Sequence, residues 1–186
     1  MILKCPKCKT PNLGERELDT GLASRPCEQG GGQWVPAKGY WAWIERRPKV
    51  TAHSPELANP APALEIQESD SPKFCPECGR FLRRYKLGHG FEFSIERCGT
   101  CGGFWLDGNE WEILKARGTH DRLHFVVGDA WQAEVGREER ERGHEKIVRA
   151  KIGGEDLEKI KGIKAWLDAH PRRAELYALL LDQSDR

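Results

Sequence analysis

Two cysteine pairs, Cys75/Cys78 and Cys98/Cys101, each enclose two residues, and 19 residues lie between the pairs. That is the spacing of a four-thiolate zinc site. Each C-x2-C turn points two thiolates at one ion, and a hairpin between the turns brings the second opposite the first to complete a tetrahedron. Gly79 and Gly102 follow the second cysteine of each turn. A residue there often needs positive φ so that backbone N–H groups can face the sulfurs, and glycine adopts it without a steric penalty. The spacing therefore predicts Zn2+ on Cys75, Cys78, Cys98 and Cys101. Such help matters here, because Leu, Ile, Val and Phe make up only about a fifth of the 186 residues, close to the lower limit for a globular core.

The knuckle occurs twice. Cys5-Pro-Lys-Cys8 matches Cys75-Pro-Glu-Cys78, and Cys27-Glu-Gln-Gly30-Gly-Gly-Gln-Trp34-Val35 aligns with Cys98-Gly-Thr-Cys101-Gly-Gly-Phe-Trp105-Leu106. The offsets are 70 and 71 residues, so one residue was gained or lost within the hairpin. In the first copy Gly30 stands where Cys101 stands in the second. Cys5, Cys8 and Cys27 then permit three readings: zinc with a fourth ligand from elsewhere, such as His53; weak zinc binding completed by water; or a metal-free module held by its aromatics. An open coordination position is also a mark of catalytic zinc, but no convincing general base accompanies it, and the chain is read as non-enzymatic. Trp34 and Trp105 hold equivalent positions, and packing against the knuckles is the expected reason. Trp41, Trp43, Trp131 and Trp166 are less constrained, and an exposed one would suit a partner interface.

The second copy continues Gly79-Arg-Phe-Leu82 and Gly102-Gly-Phe-Trp105-Leu-Asp107-Gly-Asn-Glu110. This resembles the bacterial zinc-ribbon family named after the ribbon of transcription factor IIB, with its pattern C-P-x-C-G-x-x-L, a hairpin, and C-x-x-C-G-G-x-W-L-D before a short helix. The resemblance covers about 72–118, and more loosely 3–45. It implies a structural zinc on Cys75, Cys78, Cys98 and Cys101, rather than a rubredoxin-type iron on similar knuckles. The family usually continues D-x-G-E; here the glycine comes one place early, which bears on how the following helix is capped. Ribbon likeness alone does not carry an activity.

The expected fold is small α+β: two zinc-ribbon modules, one lacking a ligand, and an α-helical C-terminal region. Residues 1–46 read as the degenerate ribbon, 47–72 as a Pro-rich, semi-extended linker, 73–118 as the complete ribbon with a helix, and 119–186 as mainly helical. Asp107 and Glu110 suggest a helix-capping arrangement. Leu123, Phe125 and Val127 alternate, which suggests a short strand or ordered loop. A charged helix is predicted from Asp129 to about Ile152, then a helix with Leu157, Ile160, Ile163 and Leu167 on one face, then another after Pro171. The last two, too short to bury their faces alone, are expected to pair as a hairpin and dock.

The longest apolar run, Leu176–Leu181, is too short to span a membrane. The amino terminus lacks a signal-peptide core, and an odd count of seven cysteines without such a signal speaks against a disulfide framework and for the cytoplasm. Phosphate-binding and nucleophile-elbow motifs are absent. At a formal net charge of +1, non-specific coating of nucleic acid is not expected. The primary expectation is a zinc-stabilised adaptor with a protein partner, conceivably in the transcription or translation machinery. A second reading is nucleic-acid contact through Arg80, Arg83, Arg84, Lys86 and Tyr85, although cations near thiolates also offset the charge of a zinc centre. A third is redox or zinc handling by Cys5, Cys8 and Cys27. The alternating charges of Arg137–Arg142 read as a solvated helix surface. His89 is expected in the hairpin turn, and His120 with His124 as a remote metal-site candidate.

Overall fold

A computed structural model describes residues 3–11, 13–48, 64–66, 69 and 71–182. Most of the Pro-rich stretch expected over 47–72, with His53, lies outside the described residues. The described residues fall into two compact units that divide between Gly136 and Arg137.

The first unit holds six strands: β1 (Arg16–Asp19), β2 (Leu22–Pro26), β3 (Gln33–Val35), β4 (Leu82–Gly88), β5 (Phe91–Cys98) and β6 (Phe104–Leu106). They form one antiparallel sheet in the order β1-β2-β3-β6-β5-β4. The order is symmetric about its centre. β1 to β3 come from the first cysteine repeat and β4 to β6 from the second, and the repeats meet edge to edge. At the seam Trp34 pairs with Trp105, Gln33 with Leu106 and Val35 with Phe104. Equivalent strands thus face each other across a pseudo-two-fold axis, and each covers an edge that the other would leave open.

The short helices extend the repeat. α1 (Ala37–Ile44) follows β3, and α2 (Glu110–Ala116) follows β6. Tyr40 and Trp111 retain the offset of 71, and both are buried. Trp43 of α1 meets Trp111 with ring centroids 5.9 Å apart. Alternation along the strands sorts side chains between two cores. Val35, Phe104 and Leu106 face α1 and α2, together with Phe91, Phe93 and Ile95. Trp34 and Trp105 face the other way, into a cluster with Cys5, Cys27, Cys75 and Cys98.

β4 and β5 are joined through His89 and Gly90, with φ of 48° and 79°. Two successive positive values are the signature of the tight turn that matches strand twist, so His89 is in the hairpin turn as expected. The strand or loop expected after residue 119 is instead helical: a 3-10 turn (His120–Arg122) and a single α-turn, α3 (Leu123–Val126). Leu123 and Val126, three apart, are buried, whereas Phe125 and Val127 are only partly so. Helical spacing therefore outweighs an alternation too short to specify a strand. α4 (Asp129–Ile152) begins with Trp131 and Val135 in the core, and the Trp131 indole N–H donates to the Leu87 carbonyl at 2.8 Å.

In the second unit, α5 (Gly154–Ala169) and α6 (Arg173–Leu181) follow. Tyr177 of α6 donates to Asp168 of α5 at 2.8 Å, in keeping with the expected pairing. The face expected on α5 is only partly buried: Leu157 and Leu167 are covered, while Ile160 and Ile163 are exposed. The polar sides are laced by ion pairs such as Lys161–Glu145 at 2.7 Å. Arg137 and Glu141 are an exposed i,i+4 pair, as expected of a solvated helix surface.

Candidate metal centre

The second knuckle is built by backbone hydrogen bonds. Cys75 N–H donates to the Arg80 carbonyl at 2.7 Å, and Gly79 N–H donates to the Cys75 carbonyl at 2.9 Å. Cys98 N–H donates to Gly103 at 3.0 Å, and Gly102 N–H to Cys98 at 2.9 Å. Gly79 and Gly102 have φ of 71° and 76°, the conformation for which the sequence reserved glycine. Cys101 N–H points at the Cys98 sulfur, 3.3 Å away. The four Sγ atoms lie within 4.8 Å of one another, and those of Cys78 and Cys98 are 3.6 Å apart. Zinc–sulfur bonds of about 2.3 Å in a tetrahedron require sulfur separations of about 3.8 Å. The donor set therefore fits Zn2+, which would fix the two turns against each other.

The thiols are not alike. Burial pushes Cys75 up to about 12, and burial also raises Cys101. Hydrogen bonding, led by the Arg80 backbone, brings exposed Cys78 down to about 7. A cation supplies what burial withholds, since ligation stabilises every thiolate at once.

The first knuckle has the same frame. Cys5 N–H donates to Thr10 at 2.9 Å, Lys9 to Cys5 at 3.0 Å, Cys27 to Gly32 at 2.8 Å and Gly31 to Cys27 at 3.1 Å. Gly30 N–H points at the Cys27 sulfur at 3.1 Å, as Cys101 N–H does at Cys98. Cys5, Cys8 and Cys27 cluster within 4.8 Å. Burial pushes Cys5 up to about 12, and the hydrogen bond with the Thr10 hydroxyl brings Cys8 down to about 7.

A buried ionic network behind the second knuckle has no counterpart in the motif reading. Lys73 Nζ lies 2.6 Å from Glu96 and 2.7 Å from Asp107, with all three side chains almost fully buried. Trp105 N–H donates to Asp107 at 2.8 Å. Asp107 therefore does not cap α2. Half of the expected arrangement exists, since Asp107 N–H donates to Glu110 at 2.8 Å, but the Asp107 carboxylate is committed to Lys73 and Trp105. The cap position is Asn109 with φ 70°. It occupies the place where the family pattern has glycine, and asparagine is among the few residues that tolerate that conformation. Burial raises Glu110 well above the usual carboxylate range, reinforced by the charge of Asp107. The sequence signal for this network was the aspartate directly after Trp-Leu.

The basic-aromatic run is divided. β4 is an edge strand, and alternation places Arg84 and Lys86 on one side and Arg83 and Tyr85 on the other. Arg84 lies 3.6 Å from Glu96, and Arg83 lies over the Tyr85 ring, 5.9 Å from its centroid. Arg80 is exposed, and its carbonyl closes the first turn of the knuckle. His120 and His124 do not share a metal site among the described residues. His124 Nδ1 is 2.9 Å from the Tyr40 hydroxyl, while buried His120 lies among Trp43, Trp111 and Arg47.

Paired C-x2-C turns, a β-hairpin between them, a third strand carrying Trp105 and a closing helix define a zinc ribbon. Residues 74–117 match the transcription factor zinc-finger family, of the factor IIB ribbon type. Neither curated proteins nor solved structures give a match to the chain.

Proposed function

We propose that this protein is a non-enzymatic, zinc-stabilised adaptor of the reducing cytoplasm that docks a protein partner through its C-terminal helices. The observation that carries this reading is the exposure of Ile160, Ile163 and Trp166 on α5 and Leu179, Leu180 and Leu181 on α6, each at least half exposed. Large apolar side chains displayed on paired helices are the material of an interface, and Trp is favoured at its centre. Cytoplasmic residence is supported by the seven unpaired cysteines. Among the described residues, no helix is long and apolar enough to cross a membrane.

The test is site-specific photocrosslinking of the full chain in cells, with the probe at position 166 or 180 and a control probe at Glu141. Discrete protein adducts from 166 and 180 that survive nuclease, and that disappear in Ile163→Asp/Leu179→Asp, are expected. Adducts that vanish with nuclease would move the assignment to the second reading.

That reading is nucleic-acid contact through Arg80, Arg83, Arg84, Lys86 and Tyr85, and it draws on the ribbon family and the edge position of β4. The division of the cations between two faces, with Arg84 beside Glu96, makes it the weaker reading. It requires binding that falls steeply with salt and weakens in Arg83→Ala/Arg84→Ala.

A further inference from the structure

We infer that Cys5, Cys8 and Cys27 form a second metal centre, a three-thiolate site for Zn2+ whose fourth coordination position is left to an exchangeable ligand from solvent. A Cβ placed on the Gly30 backbone would lie 3.1 Å from the Cys5 sulfur, 3.2 Å from that of Cys27 and 3.3 Å from that of Cys8, with those sulfurs its nearest neighbours. The backbone of the missing ligand is in place, aimed at the centre of the trio. Only the side chain is gone, and that leaves the fourth position open.

The frame around the trio is retained where it is costly to retain. Lys9 occupies the position of Gly79 and keeps a left-handed φ of 63°, a conformation that is strained for a residue with a Cβ. It thereby preserves the turn that holds Cys5 and Cys8. Cys8 N–H approaches the Cys5 sulfur at 3.5 Å, and Gly30 N–H approaches that of Cys27 at 3.1 Å. Donors aimed at sulfur favour the thiolate. Three thiolates this close repel one another unless a cation lies between them, and soft thiolate sets select zinc-like ions. The Cys8 and Cys27 sulfurs are 3.4 Å apart, close to the edge of about 3.8 Å for zinc-centred tetrahedra. A module held only by its aromatics would have no use for this retained cage.

The full chain, purified under a non-metal-binding reductant, would be assayed for metal content and for zinc transfer to a chromogenic chelator. Two equivalents of zinc per chain are expected, one released quickly and one slowly. Cys27→Ser should remove the fast equivalent and leave the slow one. Gly30→Cys should convert the fast equivalent into a second slow one. With Co2+ in place of zinc, added 2-mercaptoethanol should shift the ligand-field bands of one equivalent and leave the other unchanged, a readout that needs no variant. One equivalent in the parent chain, unchanged by Cys27→Ser, would overturn the proposal, as would a Cys8–Cys27 disulfide under the same reductant. A fast equivalent lost in His53→Ala would assign the fourth position to the protein and overturn the exchangeable ligand.

Discussion

The two knuckles share a backbone and differ in their chemistry. Both have the same turn hydrogen bonds, the same left-handed residue after the second cysteine, and the same Gly-Gly-x-Trp strand entry. The second has four sulfurs and a buried Lys73–Glu96–Asp107 network behind it. The first has three sulfurs, and Pro36 stands where Asp107 would. The turn hydrogen bonds of a knuckle persist with three sulfurs as they do with four. Gly32 lies under Trp105, with 2.4 Å between a notional Cβ and the ring, and Gly103 lies under Trp34 at the same 2.4 Å. In Gly-Gly-x-Trp, the first glycine serves its own knuckle through positive φ, and the second makes room for the tryptophan of the other repeat.

Unequal dependence on metal gives the largest expected contrast. Structural zinc contributes on the order of 10 kcal/mol to small ribbons, so Cys98→Ser should abolish the cooperative melting of the first unit as well as its slow zinc. Cys27→Ser should leave that transition in place at a lower temperature. Equal damage from the two, by circular dichroism and metal analysis, would refute the asymmetry.

The seam should behave oppositely, as a symmetric structure. Trp34→Ala and Trp105→Ala should each cost about 3–5 kcal/mol in urea unfolding, with a double mutant short of additive because the rings share one cluster. Strictly additive effects would separate the repeats energetically. Gly32→Ala and Gly103→Ala should each cost about 1–3 kcal/mol by overpacking. Relief should be crossed: Trp105→Phe partly restores Gly32→Ala, and Trp34→Phe partly restores Gly103→Ala. Rescue within the same repeat instead would contradict the packing.

The smallest effect belongs to the network found in one repeat alone. Burial holds Glu110 well above the usual 4.5. As pH rises past that value the unfolded chain releases this proton while the folded chain retains it, so stability falls with rising pH until Glu110 itself ionises. Glu110→Gln removes this dependence and keeps an acceptor for Asp107 N–H. Its melting temperature relative to the parent should therefore rise between pH 5 and pH 8, and zinc ligation, common to both proteins, cancels in the difference. A difference that is flat with pH would show Glu110 to be ionised throughout.

Cysteine spacing, glycine placement and the repeat offsets made the two ribbons and the four-sulfur centre legible in the sequence, because metal geometry and positive φ are local demands. The charged helix to Ile152 and its break at Gly153 were legible for the same reason. The alternation at Leu123–Val127 misled, since five residues cannot separate a strand from one helical turn when burial decides. Asp107 also misled, because its three-residue spacing to Glu110 is a local signal, whereas Lys73 reaches it from 34 residues away.

Cysteine spacing and the repeat offsets alone establish that this chain has two copies of a thiolate knuckle, one of them short of a ligand. Folding of the whole chain is what joins the copies in one sheet, seats each tryptophan above the other copy's glycine, and aims Gly30 at the three sulfurs. Ligand spacing is set by the few residues around each cysteine, but pairing between β3 and β6 joins residues 69 to 73 apart, and that depends on burial no local pattern records.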